Sequence, residues 1–366
     1  MKSKIDRINS IDFLRFLLSC VIILHHYQQA LGVRFDHGIN FFGGKVYFGY
    51  AVEGFFELSG FLAVLMIKKT EEQSFSDYLM HKIKRFFPLV LLSVSCYICV
   101  VYCLKIITDK WITDSPVGLW RIWNSYFLTY YGGPVKMEGI AINNPLWYLG
   151  VLLTCYVIFY LLVQISKKTT IDVVWLMIFM SMLGLGIKSY AMDLPWLNSS
   201  HGRGYAAFFL GGVVAYIWKT QKSKIFSIPA FYAVIVVVCT LSIFIKRDIL
   251  VDDEWGICTY IFFPALIMLL LCVESNKLKN NGIRTRNGEK NCDGRMEFIR
   301  IAPLGMYIWH SPFLMILKAV SLYVDISAFQ GLLMVLFVFF MMGISFLSYK
   351  YVEVCFRKWL ENILGV

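Results

Sequence analysis

The sequence predicts an all-α, polytopic membrane protein, and three observations support this fold class. Hydrophobic residues make up 58% of the 366 residues, and the mean hydropathy is +0.64. Charged residues make up only 16%, against about 25% in an ordinary soluble domain. Several segments run for about 20 residues with almost no charge, the length that a helix needs to cross a bilayer core of about 30 Å. This composition excludes a disordered, collagen-like or coiled-coil chain.

We expect about ten transmembrane helices, each a long apolar run between polar or basic segments. The shorter apolar segment 119–131 contains Arg121 together with Trp and Tyr residues, which favours a short interfacial or re-entrant helix. The segment 276–297 is polar and predicts a mobile cytosolic loop. Residues 1–366 are therefore expected to form one integral membrane domain with no appended soluble domain. The predicted spans are 11–31, 46–67, 86–107, 146–164, 172–190, 204–219, 228–246, 255–273, 299–322 and 327–349.

Basic residues are concentrated in the segments that connect the predicted spans on one side of the membrane. The formal net charge is +11, and most of the 35 Lys and Arg residues fall in segments on the same side of the membrane as the N-terminus. The positive-inside rule explains this pattern without a nucleic-acid partner. An even number of spans then predicts a multi-pass protein of the plasma or inner membrane, in contact with membrane lipids, with both termini in the cytosol.

The cysteines do not suggest a metal site. All of the 10 cysteines except Cys292 lie in or beside apolar runs, where free cysteine behaves as a small apolar residue. We therefore expect neither a metal nor a disulfide framework.

Ionisable side chains inside the predicted spans are the first candidates for function, because a charge at the centre of a membrane helix costs about 2.5–3.5 kcal/mol. In the first span, Arg15 and His26 are three helical turns apart, on one face and separated by about 16 Å. His25 points elsewhere and is interpreted as a packing residue. The alternatives are that Arg15 snorkels to the headgroups and that His26 is a hydrogen-bonded packing histidine.

The second predicted span carries two carboxylates, Glu53 and Glu57, which share a helical face because they are four residues apart. Glu53 is expected at the depth of His26, where a carboxylate could orient the imidazole. A hydrogen bond between helices is the alternative. The small pair Ser59 and Gly60 predicts a close approach of another helix.

Further basic and histidine residues lie at the starts or centres of other spans. Lys82 and Arg85 are three residues apart and are expected to form a phosphate site at a helix N-terminus, with inner-leaflet lipid binding as the alternative. Arg203 opens the sixth span at the outer surface, where it could also be a headgroup anchor. His310 is expected near mid-membrane, where it could also be structural.

Seven short motifs follow one another along the chain. They read IDFLRFLLSCVIILHH, VEGFFELSGFL, KIKRFFP, NPLWYLGVLL, RGYAAFFLGG, LGMYIWHSPF and SYKYVEVCFRK. Together they cover essentially the full chain and resemble the acyltransferase-3 family of integral membrane acyltransferases. Glu53 stands where this family commonly has Asp, and Glu57 where an apolar residue is commoner. Lys82 replaces the first Arg of an Arg-x-x-Arg-x-x-Pro motif, which keeps the charge but loses a planar, bidentate donor.

The resemblance implies an O-acetyltransferase-like enzyme that moves an acyl group, most often acetyl, from cytosolic acyl-CoA to a hydroxyl group. In this interpretation Arg85 and Lys82 hold the CoA phosphates, and Arg15 contacts the donor more deeply. His26 is the general base or the nucleophile, and Glu53 orients it.

The implied acceptor is a glycan or lipid-linked sugar of the cell envelope. Three residues are expected on the acceptor side or in the reaction chamber: His310, Trp147 and Arg203. The alternatives are a multi-span transporter or glycan exporter that uses intramembrane His, Glu and Arg as a substrate or proton path, and a non-catalytic partner in glycan assembly. The sequence leaves the oligomeric state open.

Overall fold

The computed structural model is a bundle of α-helices and describes residues 8–113, 117–129, 142–220, 228–245, 254–280 and 294–356. The helices are α1 (Asn9–Leu31), α2 (Ala51–Leu65), α3 (Ile67–Glu72), α4 (Phe75–Thr108), α5 (Leu119–Phe127), α6 (Trp147–Lys168), α7 (Val173–Ser189), α8 (Ser199–Thr220), α9 (Pro229–Ile245), α10 (Glu254–Ile257), α11 (Phe263–Asn280), α12 (Gly294–Ser321) and α13 (Gln330–Ser348). Short 3-10 turns lie at Phe48–Tyr50, Asn144–Leu146 and Ser327–Phe329, and wider π turns at Cys258–Phe262 and Tyr349–Glu353.

The helices confirm an all-α membrane protein. Within the described ranges, six helical stretches are long and apolar enough to cross a membrane, and the apolar stretches Val173–Ser189 and Pro229–Ile243 are shorter. Each of the ten predicted spans coincides with a helix or with consecutive helical turns, and the total of ten stays a prediction. The six long stretches are Asn9–Leu31, Phe48–Leu65, Phe75–Thr108, Asn144–Lys168, Glu254–Asn276 and Ser327–Phe356.

The polar segments near the spans are more regular than the sequence predicts. The ends of the predicted loop 276–297 are helical, because α11 runs to Asn280 and α12 begins at Gly294, while 281–293 lies outside the described residues. A two-residue antiparallel strand pair, Asp193–Leu194 with Leu197–Asn198, joins α7 to α8. The expected short helix in 119–131 is present as α5, and its place at the membrane interface stays a prediction.

Local contacts determine where α1 begins and ends. The carboxylate of Glu274 on α11 accepts hydrogen bonds from the backbone N–H groups of Asn9 and Ser10, both at 3.0 Å, which satisfies two donors at the helix start. At the other end, Gly32 adopts a left-handed conformation with φ of 67°, and its N–H donates to the carbonyl of Gln28. One unbroken helix therefore carries every candidate residue of the first span.

The start of α4 corrects one expectation. The helix begins at Phe75 rather than near residue 86, because Ser74 caps it and accepts a hydrogen bond from the Asp77 N–H at 3.1 Å. Lys82 and Arg85 therefore lie two to three turns inside the helix. Their predicted position at a helix N-terminus is therefore wrong. The phosphate site itself stays a prediction, in which these residues contribute their side-chain charges.

Glycines allow α2 and α8 to pack closely. A Cβ atom at Gly60 would overlap the carbonyl oxygen of Phe208, and one at Gly211 would overlap the carbonyl oxygen of Glu57. The predicted close approach at Ser59 and Gly60 is therefore confirmed. This packing brings the side chains of α2 directly against those of α8.

Candidate active site

Four cationic side chains from three helices converge on one cavity of about 200 Å³, which we call the basic cavity. Arg15 comes from α1, Lys69 from α3, and Lys82 and Arg85 from α4. The Lys82 Nζ atom lies 4.1 Å from the ring centroid of Tyr156, so the ring stabilises its charge. Like charges that converge in a partly enclosed space create a positive potential that attracts an anion.

A smaller chamber of about 60 Å³ continues from the basic cavity, because Arg15, Lys82 and Arg85 line both. We call it the inner chamber. Its lining includes Ser59 and three aromatic residues that we call the aromatic layer: Phe55 of α2, Tyr148 of α6 and Tyr307 of α12.

The rings of the aromatic layer pack against one another in the buried centre of the bundle. Their centroids are 6.0 Å apart for Phe55 and Tyr148, 6.0 Å for Phe55 and Tyr307, and 5.4 Å for Tyr148 and Tyr307. Aromatic pairs at such distances stabilise one another beyond the burial of their surface.

A pair of histidines lies next to Tyr307 of the aromatic layer. The rings of His26 on α1 and His310 on α12 stack with centroids 5.1 Å apart and planes 22° apart. The ring of Tyr307 lies 5.9 Å from that of His310. Tyr307 therefore connects the inner chamber, which it lines, to the histidine pair.

Gln29 contacts the ring of His26. The Nδ1 atom of His26 lies 3.0 Å from Oε1 of Gln29. With the amide oxygen facing the ring, Nδ1 carries the proton, because an amide oxygen can only accept. The lone pair of the neutral ring is then on Nε2, as a general base requires. Gln29 is not among the predicted site residues, although its position three residues after His26 places it on the same helical face.

His310 is fully buried beside His26. The carbonyl groups of Met306 and Tyr307 approach its ring, but neither ring nitrogen makes a well-aligned hydrogen bond to any residue that the structure describes. A buried ring with such open hydrogen-bonding capacity is suited to a polar substrate group.

Arg15 and His26 face the same neighbour, as the predicted shared face requires. Arg15 lines the inner chamber with Tyr307 of α12, and His26 stacks on His310 of the same helix. The stripe of α1 that carries them therefore faces the interior of the bundle.

Glu53 does not have its predicted contact. Its Oε1 accepts from Arg203 Nε at 2.5 Å and from Trp255 Nε1 at 2.8 Å, and its Oε2 accepts from Arg203 Nη2 at 3.0 Å. The interpretation that Glu53 orients His26 is wrong, because the close approach of α2 and α8 presents Arg203 to this carboxylate. Glu53 is instead the buried half of a bidentate ion pair.

Arg203 and Trp147 lie together at the same site. The guanidinium carbon of Arg203 is 5.0 Å from the ring centroid of Trp147, and 20% of the Arg203 side chain is exposed. Arg203 is therefore held by Glu53 and Trp147 and is not a freely extended headgroup anchor.

His25 has the packing role that the sequence analysis preferred. Its Nδ1–H donates to the Phe41 carbonyl at 2.8 Å, and its ring is 2% exposed. Gln28 also holds this segment, because its Oε1 accepts from the N–H groups of Phe41 and Phe42. The loop after α1 is thereby tied back onto the helix.

The second carboxylate of α2, Glu57, has no evident structural partner. It is 0% exposed, and neither carboxylate oxygen has a hydrogen-bond partner among the residues that the structure describes. A buried polar group of this kind reduces stability by about 1–3 kcal/mol.

Replacing Glu57 with leucine is therefore expected to stabilise the protein by about 1–3 kcal/mol, because the apolar side chain removes the cost of desolvating the carboxyl group. The midpoint of thermal unfolding of the detergent-purified protein measures this gain. Glu57→Gln keeps the polar group and should gain less. A lower midpoint for Glu57→Leu would show that Glu57 makes a favourable interaction.

Within the described ranges, no group of three or more His, Cys, Asp or Glu side chains could hold a metal ion.

Comparisons with known proteins agree with the site. Residues 8–350 match the model of the acyltransferase-3 family, described as an acyltransferase domain. The chain is 26% identical to an O-acetyl transferase of Shigella phage Sf6 over 239 residues, which cover 62% of this chain and 69% of the relative. No solved structure matches the chain.

Proposed function

Because the chain belongs to the acyltransferase-3 family and is a membrane-embedded acyltransferase, we propose that it transfers an acetyl group from acetyl-CoA to a hydroxyl group of a glycan or lipid-linked sugar. The basic cavity takes the donor, and the acceptor hydroxyl lies beside the histidine pair. The observation that carries this proposal is the convergence of Arg15, Lys82 and Arg85 on a cavity lined also by Tyr307, whose ring contacts His310, the stacking partner of His26.

The donor fits the basic cavity by charge. CoA carries several phosphate groups, and three cationic side chains of α3 and α4, those of Lys69, Lys82 and Arg85, line the basic cavity. Arg85 can bind a phosphate in a bidentate manner, whereas Lys82 acts as a point charge. With the phosphates there, the pantetheine arm extends into the inner chamber past Arg15. The excess of basic residues on this side supports a cytosolic position for the cavity.

The chemical step is acyl transfer to oxygen. Nε2 of His26 takes the proton from the acceptor hydroxyl as its oxygen attacks the thioester carbonyl. The new C–O bond forms, the C–S bond breaks, and the departing thiolate takes up the proton to give free CoA. A nucleophilic His26, which would carry the acetyl group transiently, uses the same geometry.

Other residues of the site support this step. His310 lies against His26 and is placed to contact the acceptor. Arg203 and Trp147 form the remaining polar and aromatic wall that we assign to the acceptor side. Glu53 acts through Arg203 and is a positioning residue.

Arg85→Ala is expected to weaken acetyl-CoA binding by about tenfold or more, because a hydrogen bond to a charged group contributes about 1.5–3 kcal/mol. Calorimetric titration of the full-length protein in detergent measures the affinity. Lys105→Ala is the matched control, since Lys105 is a cation of the same helix that pairs with Asp109 outside the cavity. Unchanged affinity in Arg85→Ala would contradict the assignment of the donor site.

A further inference from the structure

The inner chamber is much smaller than the basic cavity and differs from it in chemistry. It measures about 60 Å³, against about 200 Å³ for the basic cavity. Beyond the basic residues, its walls are mainly aromatic and aliphatic and include Leu149, Leu152 and Leu304. If the CoA phosphates occupy the basic cavity, the acyl end of the donor reaches the inner chamber.

The two tyrosines of the aromatic layer are held in place by hydrogen bonds. The Tyr148 hydroxyl group lies 3.2 Å from Ser59 Oγ and donates to the Phe55 carbonyl at 3.4 Å. The Tyr307 hydroxyl group donates to the carbonyl of Pro145. Hydroxyl groups paired in this way resist displacement, because moving a ring would leave a buried polar group without a partner.

The aromatic layer is also tightly packed by its neighbours. Phe55, Tyr148 and Tyr307 are 7%, 6% and 4% exposed. They come from three different helices, so widening the inner chamber at the aromatic layer requires at least one helix to move. Additional methylene groups forced into such a close-packed interior are destabilising.

We propose that the aromatic layer selects the acyl group by length: the inner chamber accepts an acetyl thioester and excludes acyl chains longer by two or more methylene groups. Phe55 is the member of the layer to vary, because its side chain contacts both tyrosines and its truncation leaves no buried hydroxyl partner unpaired. This inference rests on the proposed function, since it assumes a CoA thioester in the cavity.

The test compares the affinities of the full-length, detergent-purified protein for CoA, acetyl-CoA, butyryl-CoA and octanoyl-CoA. The wild type should bind acetyl-CoA at least as tightly as CoA, and butyryl-CoA about tenfold more weakly. Phe55→Ala should enlarge the chamber and reduce the difference between acetyl-CoA and butyryl-CoA to less than about threefold.

Phe55→Leu is a milder variant that should also reduce the difference in affinity between acetyl-CoA and butyryl-CoA. It replaces Phe55→Ala in the test if that variant does not fold. Phe61→Leu is the matched control, because Phe61 is a fully buried residue of the same helix outside the lining of either cavity. Its preference should equal that of the wild type.

Two outcomes separate this inference from the proposed function. Equal affinity for all the thioesters, or an unchanged preference in the folded Phe55 variants, would overturn the inference while CoA binding stays intact. Failure of the wild type to bind CoA and every thioester would overturn the proposed function, and the inference with it.

Discussion

Replacing His26 with alanine is expected to lower the turnover of acetyl-CoA by about a thousandfold, because proton transfer by a positioned side chain contributes roughly 10²–10⁴ to a rate. The affinity for acetyl-CoA should stay within about threefold of the wild-type value, since His26 is not among the residues that line the two cavities assigned to the donor. Release of CoA from acetyl-CoA in membranes that contain the natural acceptor measures turnover, and titration of the purified protein measures affinity.

His37→Ala is the control for this experiment, because His37 is an exposed histidine of the loop after α1. Its turnover should equal that of the wild type. Normal turnover in His26→Ala would remove the catalytic assignment and would favour a non-catalytic role in glycan assembly.

Arg203→Ala is expected to reduce the free energy of unfolding by about 3–5 kcal/mol, because it leaves the carboxylate of Glu53 buried without its main partner. The double variant Arg203→Met with Glu53→Leu should recover most of this loss, since both charges are then removed together. Unfolding of the purified protein by heat or denaturant, at constant detergent, gives the comparison.

The exposed ion pair between Arg300 and Glu297 provides a control at 3.5 Å. Arg300→Ala should change stability by less than about 1 kcal/mol. If Arg203→Ala is as stable as Arg300→Ala, or if the double variant is no more stable than Arg203→Ala, breaking the buried ion pair does not lower the free energy of unfolding as predicted.

The sequence predicts those parts of the site that depend on helical periodicity. Arg15 and His26 lie on one face of one helix because their spacing is close to a whole number of turns, and Lys82 and Arg85 share a cavity for the same reason. Their mutual arrangement needs no knowledge of the other helices. The apolar runs predict the helices themselves, since backbone polar groups in a bilayer require internal hydrogen bonds.

Helical periodicity alone does not predict the contacts between helices. Glu53 could face His26 or Arg203 at the predicted depth, and only the close packing of α2 with α8 decides between them. The aromatic layer was also missed, because Tyr148 and Tyr307 resemble any other aromatic residues in apolar runs. Their importance comes from the three helices that meet there.

The start of α4 shows a different limit. A polar helical segment that precedes an apolar span has no hydrophobic signal, so the predicted boundary fell at residue 86 rather than at the capping Ser74. The cap itself was readable, because Asp77 follows Ser74 by three residues.

The most direct test follows a label on the acetyl group of acetyl-CoA in membranes that contain the full-length protein and its natural acceptor. We predict that the label leaves CoA and enters a carbohydrate fraction as a base-labile ester, and that this transfer is lost in Arg85→Ala and in His26→Ala. Label that stays on CoA in the presence of the wild-type protein, or transfer that persists in both variants, would contradict the proposal that the basic cavity and the histidine pair together perform acyl transfer.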